Sequence, residues 1–387
     1  MDNRGITLFD TAIGPCGLAW NTDGIVGVQL PETTAGATGA RLAARFPALG
    51  MAEPRGATRR ARDAIVAHLA ARTARLEDIA LDLTAVTPFR RRVYAAARGI
   101  PSGHTLTYGE LAAQLGSPGG SRAIGQAMGS NPCPIIVPCH RVLAAGGKAG
   151  GFSAAGGTTT KACMLRIEGA SAVSFPGFEY DLMAAFEHLR QADRRLAKII
   201  ARVGVPKMEV AQTSSVFVAL ARAIVYQQLS GKAAATIFGR VCALLPRGER
   251  DLNAGNLLAL APEALRAAGL SNNKLLALRD LAERSLAGEI PDLAALRRLD
   301  DDAVVETLTR VRGIGRWTVE MMLMFRLGRP DVMAVDDLGL RQGHALIMGR
   351  AGETERRELA AYAERWRPYR SVAAWYLWRA VELARES

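Results

Sequence analysis

From residue 181 onward the sequence reads as helix after helix, which fixes the architecture of more than half of the chain. Runs such as DLMAAFEHLRQADRRLAKIIARVG, SSVFVALARAIVYQQLS, GKAAATIFGRVCALLP and NKLLALRDLAERSLAG follow one another with Gly or Pro at the joints, and hardly any period-two alternation remains. The beginning is of another kind. Residues 6–30 alternate apolar and small residues around glycines and an Asn-Thr-Asp-Gly turn, the pattern of short strands and a hairpin. A helical run near 57–71 puts Ile65, Val66 and Leu69 on one face. At 387 residues the chain is too long for one ordinary domain, so the change of pattern marks separate domains.

The middle of the chain supplies the boundaries. PFRRRVYAAARGIP opens on a helix-starting Pro and closes on Gly-Ile-Pro, and YGELAAQLG and SRAIGQAMGSNP read as two short helices about the turn SPGG. That is the outline of a helix-turn-helix, with Arg122 in the first turn of its second helix. IIVPCHRVL follows as a buried segment, then a Gly-rich loop and the helix TTTKACMLRIEG. The stretch GASAVSFPGFEY at 169–180 reads as a connector. The expected divisions are an α/β domain at 1–82, a helix-turn-helix domain at 83–168, the connector, and an all-α domain at 181–387.

Net charge is +12, and its distribution points to a polyanion. Residues 1–82 carry nine basic and nine acidic side chains, 83–170 carry nine and two, and 171–387 carry 31 and 26, so the excess is densest around Cys139. Five cysteines without a CxxC pair exclude a disulfide framework and a four-thiolate zinc site, which leaves Cys139 as a reduced thiol. The start MDNRGITLFD lacks the layout of a signal peptide, and no run reaches the length of a membrane span. The expectation is a cytoplasmic, nucleoid-associated protein (nuclear in a eukaryote) with no membrane partner.

Cys139 stands in NPCPIIVPCHRVL, after YGELAAQLG and SRAIGQAMGSN and before a helix that ends near Glu168. Together these residues resemble the O6-alkylguanine-DNA alkyltransferase family over residues 1–170. The chemistry asks for such a set. A thiol must lose its proton to attack, and His140 tied to Glu168 can take it. The resemblance implies that Asn131 braces the turn before Cys139, that Tyr108 donates to the departing guanine, and that Val142 and Ser153 line the base pocket. It also implies that Arg122 enters the base stack where a nucleotide has rotated out, a rotation that a buried thiol requires. A thioether on Cys139 has no water-labile bond, so each chain reacts once. Phe152, where tyrosine is common in the family, and Ala154-Ala155, where glycine is expected after the serine, depart from the pattern and bear on which alkyl groups fit. The fold implied is a ribonuclease-H-like roll followed by a winged helix-turn-helix-like domain.

In the helical half, LTRVRGIGRWTVEMMLMF sets Leu308, Val311 and Ile314 with Gly313 and Gly315 in a tight hairpin whose amides can hold a phosphate. With Asp336-Asp337 twenty residues after Trp317, IVYQQLSGKAA at 224–234 and ERWRPYRSVAAWYLW at 364–378, it resembles the helix-hairpin-helix DNA glycosylases over about 176–387. The nearer likeness is to the 3-methyladenine DNA glycosylase II branch. Excising a methylated purine, whose base is already cationic before the bond breaks, needs one carboxylate beside the sugar and no general acid. Spacing assigns that role to Asp337 with Asp336 as runner-up, although paired Asp residues there also suit a helix cap. Relatives that cut the strand carry a lysine where this chain has Trp317, so the expected activity is base excision alone. Tyr226, Trp317 and Trp378 are the expected pocket walls for a cationic purine, and Leu229 resembles the wedge that fills the vacated stack.

The combined expectation is a repair protein acting on double-stranded DNA with alkylated bases. No cofactor is required, and a monovalent cation at the 311–315 hairpin is the one ion left open. The sequence names no protein partner, and the two sites are expected to work independently. Two alternatives stand beside it: one half kept only as a damaged-DNA-binding module, or a damage-sensing transcriptional regulator. The intact Cys139, Arg122, Asp337 and hairpin argue against the first, and the lack of a four-cysteine cluster against the second.

Overall fold

The computed structural model describes residues 4–147, 149–170, 175, 177–211 and 213–386. Much of the connector's apolar middle, at 171–174 and 176, lies outside the described residues. The chain forms two compact units, Met1–Glu209 with Leu338–Ser387, and Val210–Asp337.

The first unit opens on an antiparallel sheet of β1 (Gly5–Phe9), β2 (Cys16–Trp20) and β3 (Ile25–Gln29), in that order. Its second turn follows from the sequence: Asn21 Oδ1 accepts the Asp23 and Gly24 amides at 2.9 and 3.1 Å, and Gly24 takes φ +153°. The helix Ala35–Arg45 packs on the sheet through Leu42, against Ile6 and Ala19. The helices Gly56–Leu69, Pro88–Arg98, Tyr108–Gln114, Ser121–Gly129 and Gly157–Ile167 follow.

Tyr94, fully buried, donates its hydroxyl to the Ala127 carbonyl at 2.9 Å and so ties Pro88–Arg98 to Ser121–Gly129. Thr107 and Glu110 form a reciprocal cap on the helix that begins at Tyr108. A parallel pair, β4 (Leu106–Thr107) with β5 (Val142–Leu143), sets Leu106 beside Val142 and Thr107, the residue before Tyr108, beside Leu143. Sequence periodicity gave no sign of this pairing, because two residues are too few to alternate.

Within the same unit, Asp193 ends the helix Leu182–Ala192 and caps Arg194–Val203, accepting the Arg195 and Leu196 amides; its other oxygen accepts Trp366 Nε1 at 3.0 Å. The helices Leu338–Ile347, Arg356–Ala363 and Arg370–Glu386 complete it.

The elements of the second unit, among its described residues, are all helices. Ser215, Ser230, Asn253, Ser271, Asp292 and Asp300 each accept an amide from the first turn of the helix they precede. Such caps are worth about 0.5–2 kcal/mol each. Arg316–Met322 runs into a π-helical stretch, Leu323–Leu327. No helix among the described residues is long and apolar enough to cross a membrane.

Candidate active sites

The approach to Cys139 is a loop held on both sides by one amide. Asn131 donates through Nδ2 to the Val137 carbonyl (2.8 Å) and accepts the Cys133 amide through Oδ1 (3.0 Å). Between them Ile135 has φ +74°, a conformation costing a β-branched residue about 1–3 kcal/mol, and full burial holds it there. The chain then makes one 3₁₀ turn, Cys139–Arg141.

Glu168, at the end of the helix Gly157–Ile167, gathers this turn. Its Oε1 accepts from His140 Nε2, His68 Nε2 and Arg141 Nη2, each at 2.8 Å, and its Oε2 accepts from Arg141 Nε at 2.8 Å. A carboxylate only accepts, so both imidazoles carry their proton on Nε2. Burial alone would raise the Glu168 pKa, but the bonds from His140 and His68, with the Arg141 guanidinium, hold it well below the carboxylate range.

Burial pushes His140 below its ordinary value and Cys139 above it, so the pair rests as neutral imidazole and thiol. Against that, a hydrogen bond with Asn131, the charge of Lys161 and two local amides favour the thiolate. His140 Nδ1 is buried without a hydrogen-bond partner.

A pH-dependent stability follows. The depressed Glu168 pKa contributes stability that is complete above the unfolded value of about 4.3 and is lost as pH falls toward the folded value. Glu168→Gln should destabilise the first unit by about 3–5 kcal/mol at neutral pH, because Arg141 keeps a buried charge without its partner. The gap to wild type should narrow below about pH 4, read as calorimetric unfolding midpoints across the acid range.

Cys139 lines a cavity of about 500 Å³ together with Tyr108, Gly125, Met128, Phe152 and Ser153. A second recess of about 320 Å³ shares Cys139, Phe152 and Ser153 and adds Asn131, Glu32 and Ala154. The departures noted in sequence, Phe152 and Ala154, therefore stand on these walls. Arg122 is exposed in the first turn of the helix whose far end supplies Met128 and Gly129.

Val142 differs from expectation. It is fully buried and lines neither recess; its carbonyl accepts Lys161 Nζ at 2.6 Å. Lys161, which sequence reasoning missed, also donates to the Ala149 carbonyl at 2.5 Å, lies 5.7 Å from the Tyr108 ring centroid, and is pulled down to about 8 by burial. His68 was missed as well, since nothing local to it signals a partner 100 residues away.

In the second unit the helices Asp301–Leu308 and Arg316–Met322 flank a turn whose Val311 and Ile314 are buried. Gly313 has φ +78°, and its carbonyl accepts Gln227 Nε2 at 2.8 Å; Asp280 Oδ2 accepts the Arg312 amide at 2.7 Å. Gly315 takes the cap position before Arg316. Trp317 is 45% exposed, and its Nε1 donates to Asp337 Oδ2 at 2.8 Å. Asp337 is half-buried, whereas Asp336 is exposed.

A cavity of about 920 Å³ beside them is lined by Tyr226, Leu229, Gly313, Trp317, Met321 and Phe325 among others, so four of the expected residues meet on one wall. Lys274 Nζ holds the end of Val216–Tyr226 by bonds of 2.8 Å to the Val225 and Gln227 carbonyls. Glu320 is buried, and burial raises its pKa against the opposing charge of Arg316. Gln227, Lys274 and Glu320 were not foreseen. Trp378 lies half-buried on Arg370–Glu386 in the first unit. Among the described residues no group of three or more His, Cys, Asp or Glu is placed to hold a metal ion.

Comparison with known proteins bears on both sites. Residues 88–170 match the 6-O-methylguanine DNA methyltransferase DNA-binding domain, and residues 221–368 match the HhH-GPD superfamily of base excision DNA repair proteins. DNA-3-methyladenine glycosylase 1 of Schizosaccharomyces pombe is 37% identical over 172 residues, which is 43% of this chain and 72% of that protein. The chain belongs to the HhH-GPD family of base excision DNA repair proteins.

On the alkyltransferase side, the methylated-DNA–protein-cysteine methyltransferase of Salmonella typhimurium is 52% identical over 86 residues, 22% of this chain and 49% of that protein. The chain thus spans about half the length of this curated methyltransferase. A crystal structure of Mycobacterium tuberculosis OGT in complex with DNA is 37% identical and covers 43% of this chain and 96% of its own, with a TM-score of 0.36. The alkyltransferase part precedes the helical glycosylase part in a multidomain chain.

Proposed function

We propose that this chain repairs alkylated DNA twice over: it transfers the methyl group of O6-methylguanine to Cys139, and it excises N-alkylated purines such as 3-methyladenine by hydrolysis. The observation that carries the first activity is Cys139 on a cavity wall beside an imidazole anchored to Glu168. Trp317, exposed on the second cavity and bonded to Asp337, supports the second.

In the transfer, the Cys139 sulfur bonds the methyl carbon as the bond from carbon to O6 breaks. His140 Nδ1 takes the thiol proton, and Tyr108 returns one to the departing guanine. Asn131 and Lys161 stabilise the thiolate, while Ser153 faces the base and Arg122 fills the stack. In the excision, Asp337 stabilises the positive charge that grows on the sugar and orients the attacking water. Tyr226 and Trp317 face the cationic base, Leu229 is the wedge, and the turn at 311–315 holds a phosphate, with or without a monovalent cation.

The finer fold belongs to the same proposal. The sheet β1–β3 with its helices suits a ribonuclease-H-like roll at 1–82, and the helices Tyr108–Gln114 and Ser121–Gly129 suit a winged helix-turn-helix at 83–168.

The test uses the wild-type chain and two duplexes, each with one lesion. Intact mass should rise by one methylene per chain with the O6-methylguanine duplex, and free 3-methyladenine should leave the other with its strands unbroken. A chain that gains no mass, or strands cut without alkali, would remove the respective half of the proposal.

A further inference from the structure

A short segment beyond the connector is built against the Cys139 site. Gly204 has φ +81° and ψ −157°, a region open to glycine alone, and a Cβ there would stand 2.2 Å from the Gly14 nitrogen. Gly14, between β1 and β2, has φ +111°, and its own missing Cβ would fall 2.7 Å from the Val203 carbonyl oxygen. Two backbones touch here because neither residue has a side chain. Tyr376, fully buried, donates its hydroxyl to the Gly204 carbonyl at 2.7 Å, and Lys207 Nζ donates to the Glu32 carbonyl at 2.7 Å. Glu32 lies on the wall of the recess that contains Cys139.

The same segment then meets the active-site loop. Gly156 (φ +80°) and Gly157 (φ +48°) have no room for a side chain: Lys207 Cβ and Glu209 Oε1 stand 2.8 and 2.5 Å from where their Cβ atoms would be. These glycines close the loop that carries Phe152, Ser153 and Ala154, and they open the helix that leads to Lys161 and Glu168. Six glycines fall between 146 and 157, so the loop has little intrinsic stiffness. A catalytic wall made of such chain is only as ordered as what packs on it.

We infer that residues 204–209 are a strap that positions the Ser153 loop, so that methyl transfer depends on chain lying beyond the connector. The inference rests on the alkyltransferase reading above, and it replaces the expectation that the two sites work independently. Lys207 is a positioning residue in it: its stem packs on Gly156 and its ammonium fixes Glu32, and the two contacts bracket the recess.

The test uses the full chain with Lys207→Ala, Lys207→Arg and Tyr376→Phe. Single-turnover methylation of Cys139 at saturating duplex should slow about tenfold in Lys207→Ala, because a smaller fraction of molecules holds the competent loop. The duplex concentration giving half the maximal rate should stay within about twofold, since the DNA-facing helix of Arg122 is untouched. Lys207→Arg should restore the rate, Tyr376→Phe should slow it less, and 3-methyladenine excision should match wild type in all three. Hydrogen exchange at 149–156 should quicken in Lys207→Ala in step with the loss of rate. An unchanged rate in Lys207→Ala overturns the inference, as does a loss shared equally by excision, which would report general unfolding. Wild type that takes up no methyl group would instead overturn the alkyltransferase reading itself.

Discussion

Asp337→Asn should leave the chain able to bind damaged and abasic duplex while excision of 3-methyladenine falls by about 10²–10³-fold or more. The large effect comes from charge alone. An asparagine side-chain oxygen can still accept Trp317 Nε1, so the indole keeps its place on the cavity wall. What disappears is the fixed negative charge facing an oxocarbenium-like centre, which is worth several kcal/mol in a site of this kind. Asp336→Asn should change excision little, because Asp336 is exposed and the Trp317 bond goes to its neighbour. Loss in the Asp336 variant with near-full activity in the Asp337 variant would move the role by one residue. The measurement is single-turnover release of free base, with a gel-shift on abasic duplex as the binding control.

Cys139→Ala should abolish methyl uptake from O6-methylguanine duplex altogether and leave excision untouched. The other four cysteines offer no second acceptor. Burial pushes Cys16 and Cys133 up to about 12, and it raises Cys163 and Cys242 as well. Cys139 is raised too, yet Asn131, Lys161 and two amides favour its thiolate where it lines a cavity. Because the thiol rests protonated, transfer should quicken as pH rises through neutrality, where His140 stays neutral and ready to accept the proton. Above about 8 the gain should fade as Lys161 loses its charge. Intact-mass kinetics across pH check both points, and a methyl group mapped to Cys133 or Cys163 would overturn the assignment.

What the sequence determined by itself was whatever is local along the chain. Pro138, Cys139, His140 and Arg141 are neighbours, and Asn131, which braces the loop before them, lies only a few residues earlier, so the set could be read in order. The helices of the second unit announce themselves by their run of helical patterns with Gly or Pro at the joints, and the hairpin by two glycines among three apolar residues. Trp317 and Asp337, twenty residues apart in sequence, are joined by a hydrogen bond across the intervening helix and loop.

Tertiary structure alone decided the partners that packing brings from afar. His68 reaches Glu168 across 100 residues, and Gln227 reaches the Gly313 carbonyl across 86, because whole helices dock and carry those side chains with them. Lys161 looks in sequence like a surface lysine of a helix start; only its burial turns it into the clamp on Val142 and Ala149. Val142 moved the other way, from expected pocket wall to core. Gly204 and Gly14 show why such contacts escape a linear reading. Each glycine alone is a turn residue, and their meaning appears only where two backbones, 190 positions apart, come within touching distance.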